Sequence, residues 1–212
     1  MSNDPITQIL NEVLQGLVTQ LNGEIPGAIS GAGYDPYRNV ASGSASIGVG
    51  TASYAVENLT GLASLRLQDM VVGNVSGSGS NLSGTLSFHA ALGSSLAAQA
   101  RGSVSILFVD PSISGNLRID GATIAGNAQF HASTAGGKLC LDAVSSMDAD
   151  FNYGNAAIWI NDLGPLNYLL QPVENLILDA AKGAIRALIS SQINDIVSEQ
   201  LNKLLPQCMP LA

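Results

Sequence analysis

Charged side chains are scarce in this sequence. Asp, Glu, Lys and Arg make up 11% of its 212 residues, less than half the share of about a quarter that soluble proteins usually carry. Sixteen acidic residues against eight basic ones give a net charge of −8 at pH 7. Because nucleic acids and anionic membranes attract basic surfaces, this balance argues against both as partners.

Cysteine and histidine are also rare, with two of each in the chain. Two cysteines and two histidines far apart in sequence are too few ligands for a typical metal site, so we predict no metal and no cofactor. The even cysteine count instead fits one disulfide, between Cys140 and Cys208, in a secreted protein.

Patterns typical of catalysis are missing as well. His89 and His131 fall in strand-like segments without a recognisable nucleophile-base pattern, and we interpret them as residues on the solvent-exposed face of a sheet. Gly77-Ser78-Gly79-Ser80 lacks the strand-turn-helix context of a nucleophile elbow, and the glycine-rich segments lack the lysine of a phosphate-binding loop. The sequence therefore predicts a protein that is not an enzyme.

No run of about eighteen uninterrupted apolar residues is present, so we predict no transmembrane helix. The first residues, Met1 to Pro5, lack the basic flank and apolar core of a signal peptide, and we interpret the chain as a mature form. Glycosylation sequons begin at Asn58, Asn74 and Asn81. Together with the low charge and the paired cysteines, they predict a secreted glycoprotein.

Two segments have the period of an amphipathic helix. From Leu166 to Leu205 apolar residues recur every three or four positions, and the continuous part is expected from about Pro172 onward. Near the start, Asp4-Pro5 is a good helix beginning and Asn22-Gly23 a plausible end. The long C-terminal stripe needs an equally long apolar surface to cover it.

Between these helices, from about Ser42 to Asp162, apolar residues alternate with small polar ones. Such a period of two predicts antiparallel strands with one apolar face and one solvent-exposed face. Many of the apolar residues are Ala, so the concave face of the sheet could be roomy. Trp159 lies on the last strand, where the pattern allows either an outer-face residue or an anchor at a sheet edge.

The closing segments 137–141, 150–154 and 158–163, followed by the long helix, resemble the takeout and mite group 7 allergen proteins. Segments 84–90 and 103–108 are similar to the central strands of those proteins. The order of helix, long sheet and long helix also resembles the juvenile-hormone-binding and bactericidal/permeability-increasing families. As a pattern, the resemblance covers nearly the whole chain.

The resemblance implies a single α+β domain over residues 1–212, in which a long, strongly curved antiparallel sheet wraps the C-terminal helix beside an N-terminal amphipathic helix. It also implies a tunnel for an apolar ligand between sheet and helices. From the inward period of these elements we predict the following lining residues: Leu10, Leu14, Leu17, Leu86, Phe88, Ile106, Phe108, Leu141, Leu176, Ile177, Leu188 and Ile189.

The function expected from these features is secreted carriage of an apolar small molecule, such as a fatty acid, terpenoid or carotenoid. An alternative of another class is a surface-active or structural protein that opens its amphipathic helices at an interface. Recognition of bacterial lipid is a third alternative, which the acidic balance disfavours.

Overall fold

The computed structural model describes residues 4–78, 80–106, 109–161 and 163–211. Within these ranges the chain forms the α-helices α1 (Pro5–Gly31), α2 (Leu170–Leu188) and α3 (Asn194–Leu204). The strands of the same ranges are β1 (Tyr37–Ser46), β2 (Thr51–Thr60), β3 (Leu65–Ser78), β4 (Asn81–Leu92), β5 (Leu96–Ser105), β6 (Ser112–Asp120), β7 (Thr123–Ala135), β8 (Lys138–Asn152), β9 (Asn155–Ile160) and β10 (Gln207–Pro210).

The strands form two antiparallel sheets that are the two ends of one bent meander. Sheet 1 has the order β1-β2-β5-β6-β9, and sheet 2 has the order β10-β8-β7-β4-β3. Each of the pairs β2–β3, β4–β5, β6–β7 and β8–β9 is separated by only a few residues, and each passes from one sheet to the other. The long, strongly curved antiparallel sheet of the prediction is therefore confirmed. Its corners are the four short connections between the paired strands, where the chain passes from one sheet to the other.

Backbone and side-chain hydrogen bonds hold these corners together. The Asp35 carboxylate accepts bonds from the backbone N–H groups of Gly61 at 3.1 Å and Ala63 at 2.6 Å. At another corner Asp120 accepts bonds from Ser95 and from Arg118. The hydrogen bond from Ser95, with that from Arg118, lowers the pKa of the Asp120 carboxyl below its ordinary value.

The helices lie on the concave side of the two sheets. Helix α2 contacts β1 and β9, the two edge strands of sheet 1, so this sheet curls around the helix. Helix α1 contacts β3 and β10, the two edges of sheet 2, and α3 packs against α1 and β8. The predicted α+β arrangement, with a sheet around the C-terminal helix and an amphipathic helix before it, is confirmed.

Helix α1 runs past the end predicted at Asn22-Gly23. Its apolar stripe continues through Leu21, Ile25 and Ile29, which are spaced four residues apart and fully buried. The helix even includes Pro26, which disfavours a helix interior. Burial of two further isoleucines thus outweighs the local breakers.

The C-terminal stripe is helical almost throughout, as predicted. A 3-10 turn at Gly164–Leu169 leads into α2, so Pro172 lies in the first turn of that helix. A π-helical turn at Ile189–Ile193 then joins α2 to α3 without a break. Such turns insert one residue into the hydrogen-bonding pattern and are frequent at functional sites.

Cys140 and Cys208 form the predicted disulfide, which ties β10 to β8 where the two residues face each other. The bond closes a loop with a sequence separation of 68 residues. It therefore fastens the end of the helical segment back onto sheet 2.

Replacing both cysteines by serine is expected to destabilise the protein by about 4 kcal/mol, because the unfolded chain loses a long cross-link and gains entropy. Urea unfolding of the variant and the wild type, followed by far-UV circular dichroism, measures the difference. Equal midpoints and slopes in the two titrations would show that the bond contributes nothing to stability.

Candidate functional site

The predicted lining residues belong to one apolar interior. Ile106 and Leu176 are half-buried and pack against it, and Phe108 lies outside the described residues. The others are buried in a single cluster: Leu10, Leu14, Leu17, Leu86, Phe88, Leu141, Ile177, Leu188 and Ile189. Among the described residues, the one polar side chain buried with them is that of Asn194.

The two ends of this interior are filled differently. The fully buried aromatic rings of the described residues, Phe88, Phe130 and Phe151, all belong to sheet 2. The inner face of sheet 1 carries small side chains at buried positions such as Ala52, Ala98 and Ala100. Sheet 2 also buries alanines, among them Ala90, Ala128 and Ala132, so the two sheets differ in their aromatic rings.

Asparagine side chains fasten the helices to sheet 2. The Asn22 amide donates to the Leu67 carbonyl and accepts from the Leu67 N–H, each at 2.8 Å. Asn202 makes the same pair with Val144, at 2.9 and 3.1 Å. These bonds satisfy strand edges that have no strand neighbour there, so α1 and α3 are held firmly.

Asn22→Ala is expected to destabilise the protein by about 2 kcal/mol, because two hydrogen bonds are lost and the Leu67 backbone groups are left unpaired. Asn175→Ala is the matched control: Asn175 is exposed on α2, so its variant isolates the change in helix propensity. Chemical unfolding of both variants measures the difference, and equal stabilities would contradict the fastening role.

Helix α2 is fastened on one side only. Arg186 donates to the Phe151 carbonyl and Ser190, just beyond the helix, donates to the Ala149 carbonyl, each at 3.4 Å. The Lys182 ammonium also lies 5.7 Å from the centre of the Tyr153 ring. Toward β1, in contrast, no hydrogen bond joins α2 to the strand within the described part of the chain.

The β1 side of α2 carries an open groove, which we call the α2–β1 groove. Its volume is about 470 Å³, within the range of small-molecule pockets. It is lined by Tyr34, Tyr37, Val40, Ala184, Ala187, Leu188, Ser191 and Gln192. Leu188 is the predicted lining residue that the groove includes.

Ala184 marks the groove as a gap in the packing. By helical spacing it shares a face with Ile177, Ala181 and Leu188, all of which are buried. Ala184 is only half-buried, although it lies within this apolar stripe. The stripe of α2 is therefore incompletely covered at this point.

One rim of the groove is polar and aromatic. The Tyr34 hydroxyl donates to the Gln192 side-chain oxygen at 2.5 Å, and the rings of Tyr34 and Tyr37 lie 5.8 Å apart. The π-helical turn places Ser191 and Gln192 on this rim. Among the described residues, no charged side chain lines the groove, so its chemistry suits an apolar molecule with a neutral polar end.

Strand β1 is the weakest wall of the groove. Val40 is its one buried residue, and among the described residues its strand pairing is with β2 alone. An edge strand with so little burial separates from the core more easily than the inner strands do. Entry of a ligand between β1 and α2 therefore requires little disruption of the fold.

Other predicted features lie at the surface. His89 and His131 are exposed on strands, and His89 Nδ1 lies 2.7 Å from Asp69 Oδ1. The sequon residues Asn58, Asn74 and Asn81 are also exposed. Within the described ranges, no three His, Cys, Asp or Glu side chains are grouped to hold a metal ion, and no helix is long and apolar enough to cross a membrane.

Comparison with known proteins gives matches in fold only. No protein-family model matches the chain, and no curated protein matches it. A structure of lipopolysaccharide binding protein is similar at a TM-score of 0.36 and 17% identity, over 91% of this chain and 40% of the other. Takeout 1 from Epiphyas postvittana is similar at a TM-score of 0.43 and 9% identity, over 89% of this chain and 91% of the other.

The chain thus spans about 40% of the length of the lipopolysaccharide binding protein structure.

Proposed function

We propose that this protein is a secreted, non-enzymatic carrier of an apolar small molecule. The observation that supports the proposal best is the α2–β1 groove, where half-buried Ala184 leaves the apolar stripe of α2 incompletely covered. A molecule seated there buries its hydrocarbon against Val40 and Leu188, which releases about 25 cal/mol for each Å² removed from water.

The proposed ligand passes from the groove into the space between α2 and sheet 1. In this proposal it contacts the predicted lining residues Leu176, Ile177, Leu188 and Ile189 next to the buried alanines of sheet 1, Ala52, Ala98 and Ala100. The predicted residues of α1 and sheet 2 line the inner end of the tunnel in this proposal, namely Leu10, Leu14, Leu17, Leu86, Phe88 and Leu141. Ile106 lies near the far end of β5.

Among the candidate ligand classes, the groove favours a molecule with a neutral polar end. Tyr34, Ser191 and Gln192 offer hydroxyl and amide groups, whereas the described part of the chain places no lysine or arginine on the groove to neutralise a carboxylate. A desolvated and unpaired carboxylate is costly. We therefore place a terpenoid or carotenoid ahead of a fatty acid.

Secretion is proposed from three features that agree. The disulfide between Cys140 and Cys208 is typical of oxidising compartments, the three sequon asparagines are exposed, and charge on the chain is sparse. Glycosylation at Asn58, Asn74 and Asn81 belongs to the same proposal. Release of N-linked glycans by a glycosidase, followed by mass spectrometry, tests it directly.

Surface activity is the second candidate function. It is favoured by the large apolar interior beneath two amphipathic helices, which the bent sheet would expose if it opened at an air-water interface. Surface tension of the purified protein at increasing concentration tests this candidate. A strong decrease together with no ligand binding would favour it over the carrier.

The carrier is tested by mass spectrometry of an organic extract from natively purified protein, and by binding of two fluorescent probes. Retinol has a neutral polar end, and cis-parinaric acid has a carboxylate. We expect saturable binding of retinol and weaker binding of cis-parinaric acid. Absence of a co-purified apolar molecule, together with no binding of either probe, would refute the carrier proposal.

A further inference from the structure

The outer face of sheet 1 carries a second concave surface, which is remote from the ligand path proposed above. It has a volume of about 510 Å³ and crosses β5, β6 and β9. Gly115 lies at its floor, and its polar border includes Gln99, Asn116 and Asn161. Trp159 lies beside this floor, and we call the whole surface the Trp159 groove.

Trp159 is the single tryptophan of the chain, and it is 58% exposed. It lies on the outer face of the edge strand β9, which agrees with the outer-face alternative left open by the sequence. A tryptophan combines a large apolar ring with one N–H donor, and it is enriched where proteins bind other molecules. An exposed ring beside a concave floor is a stacking platform.

Amide side chains continue the platform across the sheet. Asn116 is the direct strand partner of Trp159, and Gln99 is the direct partner of Asn116. Strands lie about 4.8 Å apart, so the row from the indole ring to Gln99 spans about 10 Å. Within the described part of the chain, the Asn116 side chain makes no hydrogen bond and is available to a ligand.

The groove is close to electrically neutral. Arg101 lies 3.9 Å from the Glu57 carboxylate, and Arg118 lies 2.8 Å from the Asp120 carboxylate. Arg101 is the one charged side chain among the described residues that line the groove, and its charge is partnered by Glu57; the chain as a whole is acidic. These charges disfavour an anionic ligand such as a nucleotide or a phosphorylated lipid.

An aromatic platform followed by amide groups in a neutral groove matches the chemistry of a sugar. A pyranose ring presents a face of C–H groups that stacks on an indole, while its hydroxyls both donate and accept hydrogen bonds, as amides do. A protein partner would require a broader apolar centre than one tryptophan among polar residues. We propose that the Trp159 groove binds a neutral oligosaccharide, with one ring on Trp159 and the next ring between Asn116 and Gln99.

Because Trp159 is the one tryptophan, its fluorescence reports on this groove alone. The test titrates the full-length protein with neutral tetrasaccharides of β-1,4-glucose, β-1,4-N-acetylglucosamine, α-1,4-glucose and β-1,4-mannose. We expect at least one of them to change the emission saturably, with a Kd below about 1 mM. Isothermal titration calorimetry with Trp159→Ala should then show no binding of the same sugar.

Asn116→Ala and Gln99→Ala keep the tryptophan and should each weaken binding about tenfold. Gln129→Ala is the matched control, because Gln129 is an exposed amide on a strand of sheet 2. Folding of each variant is checked by its melting temperature. The proposal is overturned if no sugar binds by fluorescence or calorimetry, or if the two groove variants bind as tightly as the control.

A shift of Trp159 emission on phosphatidylcholine vesicles, without a response to any of the sugars, would also overturn the proposal and would assign this face to a lipid surface. The sugar test is independent of the carrier proposal, because neither Trp159 nor Asn116 borders the α2–β1 groove.

Discussion

Replacing Ile177 by Asp is expected to abolish the folded state. Ile177 lies at the middle of the apolar stripe of α2 and has no solvent exposure. A carboxylate at that position loses its hydration and finds no partner among apolar neighbours, which costs several kcal/mol. Loss of the isoleucine side chain adds to this cost, and the sum is comparable to the total stability of a typical domain.

The measurement is thermal unfolding followed by circular dichroism, with Asn175→Asp as the matched control. Asn175 is exposed on the same helix, so its variant introduces the same charge without burying it. We expect a cooperative transition near the wild-type temperature for the control and none for Ile177→Asp. A cooperative transition at the wild-type temperature in both variants would mean that α2 does not pack against the concave face of sheet 1 in solution.

The helical stripes and the alternating strands are predictable from sequence because both signals are local. Residues such as Val173, Ile177 and Ile185 recur with the helical period, and the structure buries all three. The strand signal is equally direct, as in Leu86, Phe88 and Ala90, which alternate with exposed or half-buried neighbours. Neither signal depends on which elements become neighbours in space.

The corners and the helix fastenings could not be predicted in this way. Asn22 has the sequence pattern of a helix end, and its partner, the Leu67 backbone, is 45 residues away. A polar side chain that pairs with a distant strand edge gives no periodic signal. For the same reason, the placement of α1 against sheet 2 and of α2 against sheet 1 became clear only from the structure.

The candidate site was predictable in part. Leu188 belongs to the predicted set of lining residues. Tyr37 and Val40 precede the alternating region, which starts at about Ser42, so no periodic pattern marked them as lining residues. In the sequence, incomplete packing around α2 is indicated by its small residues, which are Ala180, Ala181, Gly183, Ala184 and Ala187. The π-helical turn that brings Gln192 to the rim was not predicted from the sequence.

The carrier proposal predicts that Ala184→Phe weakens the binding of retinol at least about tenfold. The added phenyl ring would occupy the α2–β1 groove between Val40 and Leu188, where the ligand is proposed to enter. Because Ala184 already faces this open space, the ring displaces little existing packing and the fold should persist. A fluorescence titration with retinol gives the affinity, and a thermal melt of the same sample gives the stability.

Asn175→Phe is the matched control for this variant, because it adds the same ring to the exposed side of α2. We expect it to bind retinol as the wild type does, with a similar melting temperature. Equal affinity in the two phenylalanine variants would show that the ligand does not pass the α2–β1 groove, even if the protein carries one elsewhere. If Ala184→Phe instead binds normally but lowers the melting temperature by several degrees, Ala184 faces packed core and the groove is closed in solution.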